Sequence, residues 1–166
     1  MGINPRTGKL YPARGRPWSL MQWIAAGLPP WSARHLPSMV AVLDPDFAML
    51  RPLSAHPRFK DVRRGHMFAA TYDMGGRWIK NFAAIGEVAP GTNESTALES
   101  YASGPPWVVE RTDFQAMLPL WGDYTDKMDA RGKSLLNEQY SFMMAAATQS
   151  VPMLPDGNTM VVSNPG

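Results

Sequence analysis

Ser38-Met39-Val40-Ala41-Val42-Leu43-Asp44-Pro45-Asp46 is the stretch on which the fold is read. Its apolar run carries β-branched valines and is too short for an independent helix, so it reads as a strand buried on both faces. The run stops at a proline between two acids. Upstream, Pro17 suits the first turn of a helix, where a missing N–H costs nothing. Leu20, Trp23, Ile24 and Leu28 then recur at helical spacing on one face, and Gly27 with Pro29-Pro30 ends the pattern.

Downstream, residues 47–53 read as a short extended piece broken by Pro52, and residues 66–72 as a further strand. Gly75-Gly76 turns the chain into a short amphipathic helix around Trp78, Ile79 and Phe82. Residues 86–104, polar and carrying Gly, Pro, Ser and Thr, read as the longest loop. That loop holds the sequon Asn93-Glu94-Ser95, which would mark a surface site in a secreted protein. Residues 107–109 read as a brief strand. Thr112 or Asp113 suits the cap of the next helix, whose apolar stripe is Phe114, Met117, Leu118 and Trp121, with Pro119 inside it. After Gly132, residues 134–147 form the clearest helical pattern, and Met160-Val161-Val162 reads as a last strand. Strands alternating with helices predict an α/β domain over residues 17–166, a mixed sheet flanked by helices. Residues 1–16 lack apolar periodicity and read as a flexible basic arm.

The chain has 166 residues, enough for one domain with a sizeable core. Its 45% hydrophobic and 18% charged residues exclude a disordered polyelectrolyte. The absence of Cys excludes disulfides, thiolate metal sites and a Cys nucleophile. No apolar run approaches the ~20 residues that span a bilayer, and no N-terminal stretch reads as a signal peptide. The formal charge of +2 hides an asymmetry: Arg6, Lys9, Arg14, Arg16 and Arg34 all precede the first acid, Asp44. Those basic residues form no motif or dense patch, which argues against nucleic acid as a partner. Sixteen Pro and 14 Gly imply much loop, and 12 Met imply adaptable core packing.

Chemistry is concentrated at two places. Asp44 and Asp46, one residue apart on an extended chain, point the same way beyond the carboxyl end of a strand, where ligands of open α/β sheets bind. Such a pair suits Mn²⁺ or Mg²⁺, which keeps open positions for phosphate oxygens; it equally suits a loop whose acids cap backbone N–H groups. Glu138 stands inside a largely apolar helix between Leu135 and Phe142, so it is exposed, paired or functional. His35, His56 and His66 show no ligand spacing, and neither a nucleophile elbow nor a Gly-rich phosphate loop is present.

The order of several short segments resembles the peptidyl serine α-galactosyltransferases and hydroxyproline O-arabinosyltransferases of plants and green algae. Arg16-Pro17-Trp18-Ser19-Leu20-Met21-Gln22-Trp23-Ile24 is similar to the family's Pro-Trp and Gln-Trp helix. Asp44-Pro45-Asp46, followed by Arg51-Pro52-Leu53, resembles its acidic signature. Gly104-Pro105-Pro106-Trp107 with Leu118-Pro119-Leu120-Trp121 is similar to its next block, and Leu135-Leu136-Asn137-Glu138-Gln139-Tyr140 to its acid-bearing helix. The closing Val162-Ser163-Asn164-Pro165-Gly166 leans to the galactosyltransferase branch.

The resemblance implies a GT-A-like fold, here its C-terminal part, and transfer of a sugar from UDP-galactose or UDP-arabinofuranose. The acceptors would be Ser or hydroxyproline hydroxyls of hydroxyproline-rich, extensin-like proteins. It implies retention of configuration, Golgi or endoplasmic reticulum residence, and a membrane anchor outside this chain. Asp44 and Asp46 would hold Mn²⁺ against the diphosphate, and Glu138 would be the catalytic acid residue. Trp18, Gly104, Pro105, Trp107 and Asn137 would line the substrate site. Trp18, Trp107 and Trp121 either stack on substrate or pack the core. The alternative reading is a non-catalytic binding or interaction domain that keeps the fold.

Overall fold

A computed structural model describes residues 3–10, 12–27, 39–44, 52–71, 74–132, 134 and 136–156. In chain order it contains α1 (Gly15–Ala25), β1 (Met39–Val42), β2 (Met67–Thr71), α2 (Lys80–Ala84), α3 (Glu94–Tyr101), β3 (Ser103–Glu110), α4 (Arg111–Arg131), α5 (Asn137–Thr148) and β4 (Met153–Asp156). The four strands form one mixed sheet in the order β1-β3-β2-β4. β3 lies antiparallel to both β1 and β2, and β4 runs parallel to β2. The α/β class expected from the sequence is therefore present, as a mixed sheet flanked by helices.

The period-two alternation of strand side chains divides the core in two. On one face Val40, Val42, Met67, Ala69, Trp107 and Val109 meet Phe114, Met117 and Trp121 of α4 and Phe142 and Met143 of α5. On the other, Met39, Phe68 and Val108 are covered by Leu53, Phe59 and Val62. Those covering residues belong to, or directly follow, two 3-10 turns, Leu53–Ala55 and Pro57–Asp61. The expected extended piece over residues 47–53 thus ends in a 3-10 turn at Leu53, and its residues 47–51 lie outside the described residues.

β1 corrects the expectation of a strand buried on both faces. Val40 and Val42 are buried while Ala41 is exposed. Among the described residues β1 is an edge strand with β3 as its one neighbour, so its outward face is covered less completely than that of the central strand. β3 is the central strand and far longer than its expected three residues; every residue but Glu110 is buried. A cis Pro105-Pro106 bond sits where the β2–β3 register shifts, between the Ala69–Trp107 and Ala70–Gly104 pairs.

The segment read as the longest loop contains α3. Asn93 accepts from the Thr96 N–H at 3.0 Å and Thr96 accepts from the Asn93 N–H at 2.9 Å, a reciprocal cap that starts a helix despite weak propensity. Ala97 and Tyr101 are its buried positions. α4 is capped by Glu110, which accepts from the Thr112 and Asp113 N–H groups, whereas the Asp113 carboxylate accepts from Gly65 N–H at 2.6 Å. β4 supplies an edge strand the sequence reading missed, because Pro152 and Pro155 break its apolar pattern; the strand expected at Met160 lies outside the described residues.

The residues read as an arm are held against α4. Asn4 is fully buried and donates to the Asp126 carbonyl at 3.0 Å and to Asp129 Oδ2 at 2.6 Å. Arg6 pairs with Asp123 at 2.8 Å, and Arg14 pairs with Asp126. Asp123, Asp126 and Asp129 recur every three residues, one stripe of the helix. Two of the early basic residues, Arg6 and Arg14, are thus answered by acids of α4.

Candidate functional site

Three elements bring the site together. Val42 of β1 pairs with Trp107 of β3, so Asp44, just past the end of β1, stands beside the N-terminal half of the central strand. α5 packs against α4 and the same sheet face, and presents Glu138 from its first turn. α1 crosses α4 closely: a Cβ on Gly122 would lie 2.8 Å from Met21 Cε, so glycine there lets the helices approach. Leu20, Met21 and Ile24 fasten α1 to the core, and its first turn carries Arg16 to the sheet's end.

Arg16 joins the two acids. Its Nη2 donates to Asp44 Oδ1, and its Nη1 donates to Glu138 Oε1 at 3.4 Å. The guanidinium also lies 5.8 Å from the ring centroid of Trp107. Beneath it Trp107 stacks on Phe142 at 4.0 Å, and Trp121 meets both rings edge-on. Trp121 Nε1 donates to the Glu138 carbonyl at 2.9 Å and so fixes the first turn of α5. Among the described residues, Trp107 Nε1 is a buried donor without a partner.

Burial is graded across the cluster. The Glu138 side chain is 7% exposed, against 21% for Asp44 and 24% for Arg16, so the cluster opens to solvent on the Arg16–Asp44 side. Burial pushes the Glu138 carboxyl up to about 7; Arg16 works against that shift and the Asp44 charge adds to it. With both acids ionised the trio carries one net negative charge, and protonating Glu138 neutralises it. Of the readings its helix allowed, Glu138 is not the exposed residue; it is buried and paired with Arg16.

The other expected site residues take varied places. Trp18 is half-buried two residues along α1, a spacing at which side chains diverge. Gly104 and Pro105 are buried within β3, and Gly104 pairs with Ala70 on the side away from β1. Asn137 is buried and donates to the Gly132 carbonyl at 2.7 Å, closing the turn into α5. Trp107 and Trp121 are fully buried core residues, so neither offers an open face to a substrate. Asp46 lies outside the described residues. Arg16 was missed as a site residue. The signal was there: an acid within an apolar helix needs a cation, and the arm supplied the cations.

The donors fit a hard divalent cation in kind. Asp44 and Glu138 offer carboxylate oxygens, and in this structure Arg16 pairs with both. Among the described residues no group of three or more His, Cys, Asp or Glu could hold a metal ion. No described helix is long and apolar enough to cross a membrane. No protein-family model, curated protein or solved structure matches the chain.

Proposed function

We propose that the chain is a nucleotide-sugar-dependent glycosyltransferase, or the part of one that carries its acidic centre. UDP-galactose or UDP-arabinofuranose would be the donor. A Ser or hydroxyproline hydroxyl of a hydroxyproline-rich protein in the Golgi or endoplasmic reticulum lumen would be the acceptor. The observation that carries the reading is the meeting of Asp44 and Glu138. The resemblance gives roles to both, they come from distant parts of the chain, and they share one cation at the end of the sheet.

In this reading Asp44, with Asp46, would hold Mn²⁺ or Mg²⁺, which when bound supplies positive charge against the departing diphosphate. Asp44 is the more exposed acid. Glu138 is the buried acid. Its ionised form stabilises positive charge at the sugar carbon as the bond to the leaving oxygen breaks, an effect strengthened by the dry surroundings of Trp107 and Phe142. Because burial holds its carboxyl near 7, the ionised form gains population as pH rises through neutrality.

One observation favours a second reading, a binding domain without catalysis: Arg16 already satisfies both carboxylates. Calorimetric titration with UDP, with and without Mn²⁺, separates the two. The transferase reading expects Mn²⁺-dependent UDP binding that Asp44→Asn abolishes. A folded chain that binds no UDP under either condition sinks it.

A further inference from the structure

α3 starts at Asn93-Glu94-Ser95, the one Asn-x-Ser/Thr triplet of the sequence and a motif that the proposed transfer chemistry leaves unused. We propose that Asn93 accepts an N-linked glycan on Nδ2 and carries it on the outside of the fold with the cap of α3 intact. The inference rests on the lumenal residence proposed above and not on the transferase activity. The co-reactant in that compartment is an oligosaccharide carried on a polyprenyl diphosphate. The bond from Asn93 Nδ2 to the sugar C1 forms, and the bond from C1 to the diphosphate oxygen breaks. The lipid diphosphate leaves with that electron pair, and one Nδ2 proton passes to solvent.

The fold presents this triplet to water. Asn93, Glu94 and Ser95 are all exposed, whereas Ala97 and Tyr101 are buried on the inner face of α3. That inner face is fixed. Trp78 Nε1 donates to the Ala97 carbonyl at 3.3 Å, and a Cβ on Gly76 would meet the Glu94 carbonyl oxygen at 2.1 Å. The first turn of α3 therefore cannot roll inward, and a large group on Asn93 stays in solvent. The Asn93 amide also divides its work. Oδ1 accepts from the Thr96 N–H at 3.0 Å, whereas Nδ2 has no partner among the described residues. The reciprocal bond, from the Asn93 backbone N–H to Thr96 Oγ1 at 2.9 Å, does not use the side chain of Asn93. A glycosylated Asn keeps Oδ1, so both capping bonds survive the substitution. Ser95 stands clear of the cap as well, since its hydroxyl donates to Glu99 Oε1 at 2.8 Å.

The test expresses the full chain behind a cleavable signal peptide in a eukaryotic secretory host, beside Asn93→Asp and Ser95→Ala. Both substitutions destroy the triplet and spare the cap, because Asp caps as well as Asn and Ser95 takes no part in it. The wild type is expected to gain the mass of one N-glycan, removable by peptide-N-glycosidase F, and the two variants none. A wild-type chain recovered from the secretory pathway with unmodified mass overturns the proposal. The added signal peptide supplies the lumenal residence, so that result is a failure of the site and not of the residence.

Retention of the cap is read by thermal unfolding. The glycosylated chain is expected to unfold within about 1 °C of Asn93→Asp, whereas Asn93→Ala, which loses the cap, falls by about 2–4 °C. A glycosylated chain that unfolds as low as Asn93→Ala overturns the proposal, because the fold would then not accept the glycan on an intact cap. Neither readout uses UDP or a metal. Failure of UDP binding therefore leaves this site standing, and an unmodified chain that binds UDP leaves the transferase reading standing.

Discussion

Arg14 and Arg16 leave the start of the same helix two residues apart and enter opposite kinds of environment. Arg14 reaches α4, where Asp126 receives it beside the fully buried Asn4. That contact joins one cation to one carboxylate with little water. Arg16 reaches the end of the sheet, where a single guanidinium is divided between a half-buried Asp44 and a buried Glu138. The first arrangement has one stable state, because removing either partner strands a buried charge. The second has several, because Glu138 can be neutral or ionised and Asp44 is partly open to water. A buried pair fastens the chain; a shared and partly wet one is available for chemistry.

Breaking the fastening has the largest expected effect. Arg14→Met leaves Asp126 buried without its cation and is expected to cost about 3 kcal/mol of stability or more, read by urea denaturation. A loss under about 1 kcal/mol would put Arg14 in the same class as Arg16 and erase the contrast.

The next effect belongs to Glu138. Its carboxyl holds its proton more tightly in the fold, near 7, than at its ordinary 4.5. Between those values the folded chain binds more protons than the unfolded chain, so stability is greatest below the window and falls as pH rises through it. The fall attributable to this group is at most about 3 kcal/mol between pH 4.5 and 8. Glu138→Gln should remove most of that slope in denaturation curves at pH 5 and 8. An unchanged slope would mean that another group titrates, or that Glu138 stays ionised throughout.

The sequence made the skeleton of this arrangement legible, and the physical reason is local pattern. The valine run of β1 and the helical spacing of Phe114, Met117, Leu118 and Trp121 were readable because burial imposes periods that show in the residues themselves. Asp44 and Glu138 were readable as chemistry because acids beside apolar runs are costly. What stayed hidden depends on partners distant in the chain. Residues 1–16 have no periodicity, so nothing in them announces that Asn4 and Arg14 meet a stripe of acids on α4. α3 was hidden by composition, since its helix rests on one reciprocal cap and two buried residues. Gly104 ends the stretch read as a loop but lies in the central strand, where its pairing with Ala70 overrides its usual preference.

Asn4 tests how far the fastening extends beyond Arg14. It donates to the Asp126 carbonyl and to Asp129, whose other carboxylate oxygen is buried with no partner among the described residues. Asn4→Ala therefore removes a donor from an acid already short of one. The expected cost is about 2 kcal/mol by denaturant unfolding, smaller than that of Arg14→Met because no cation is lost. A neutral Asn4→Ala would confine the fastening to the Arg14–Asp126 pair.

The smallest stability effect is expected where the functional argument is strongest. Arg16→Met at pH 6 removes a cation from Asp44, which water can reach, and from Glu138, which at that pH is already largely protonated. The stability cost should stay under about 1 kcal/mol, as for a partly exposed pair. At pH 8 the same substitution should cost more, because Glu138 ionised in the wild type must then either keep a buried charge unpaired or take up a proton against the pH. Arg14→Met offers the control, since Arg14 pairs with Asp126 and not with Glu138. A large Arg16→Met penalty that is equal at both pH values would make Arg16 a second fastening and would remove the distinction between the two arginines.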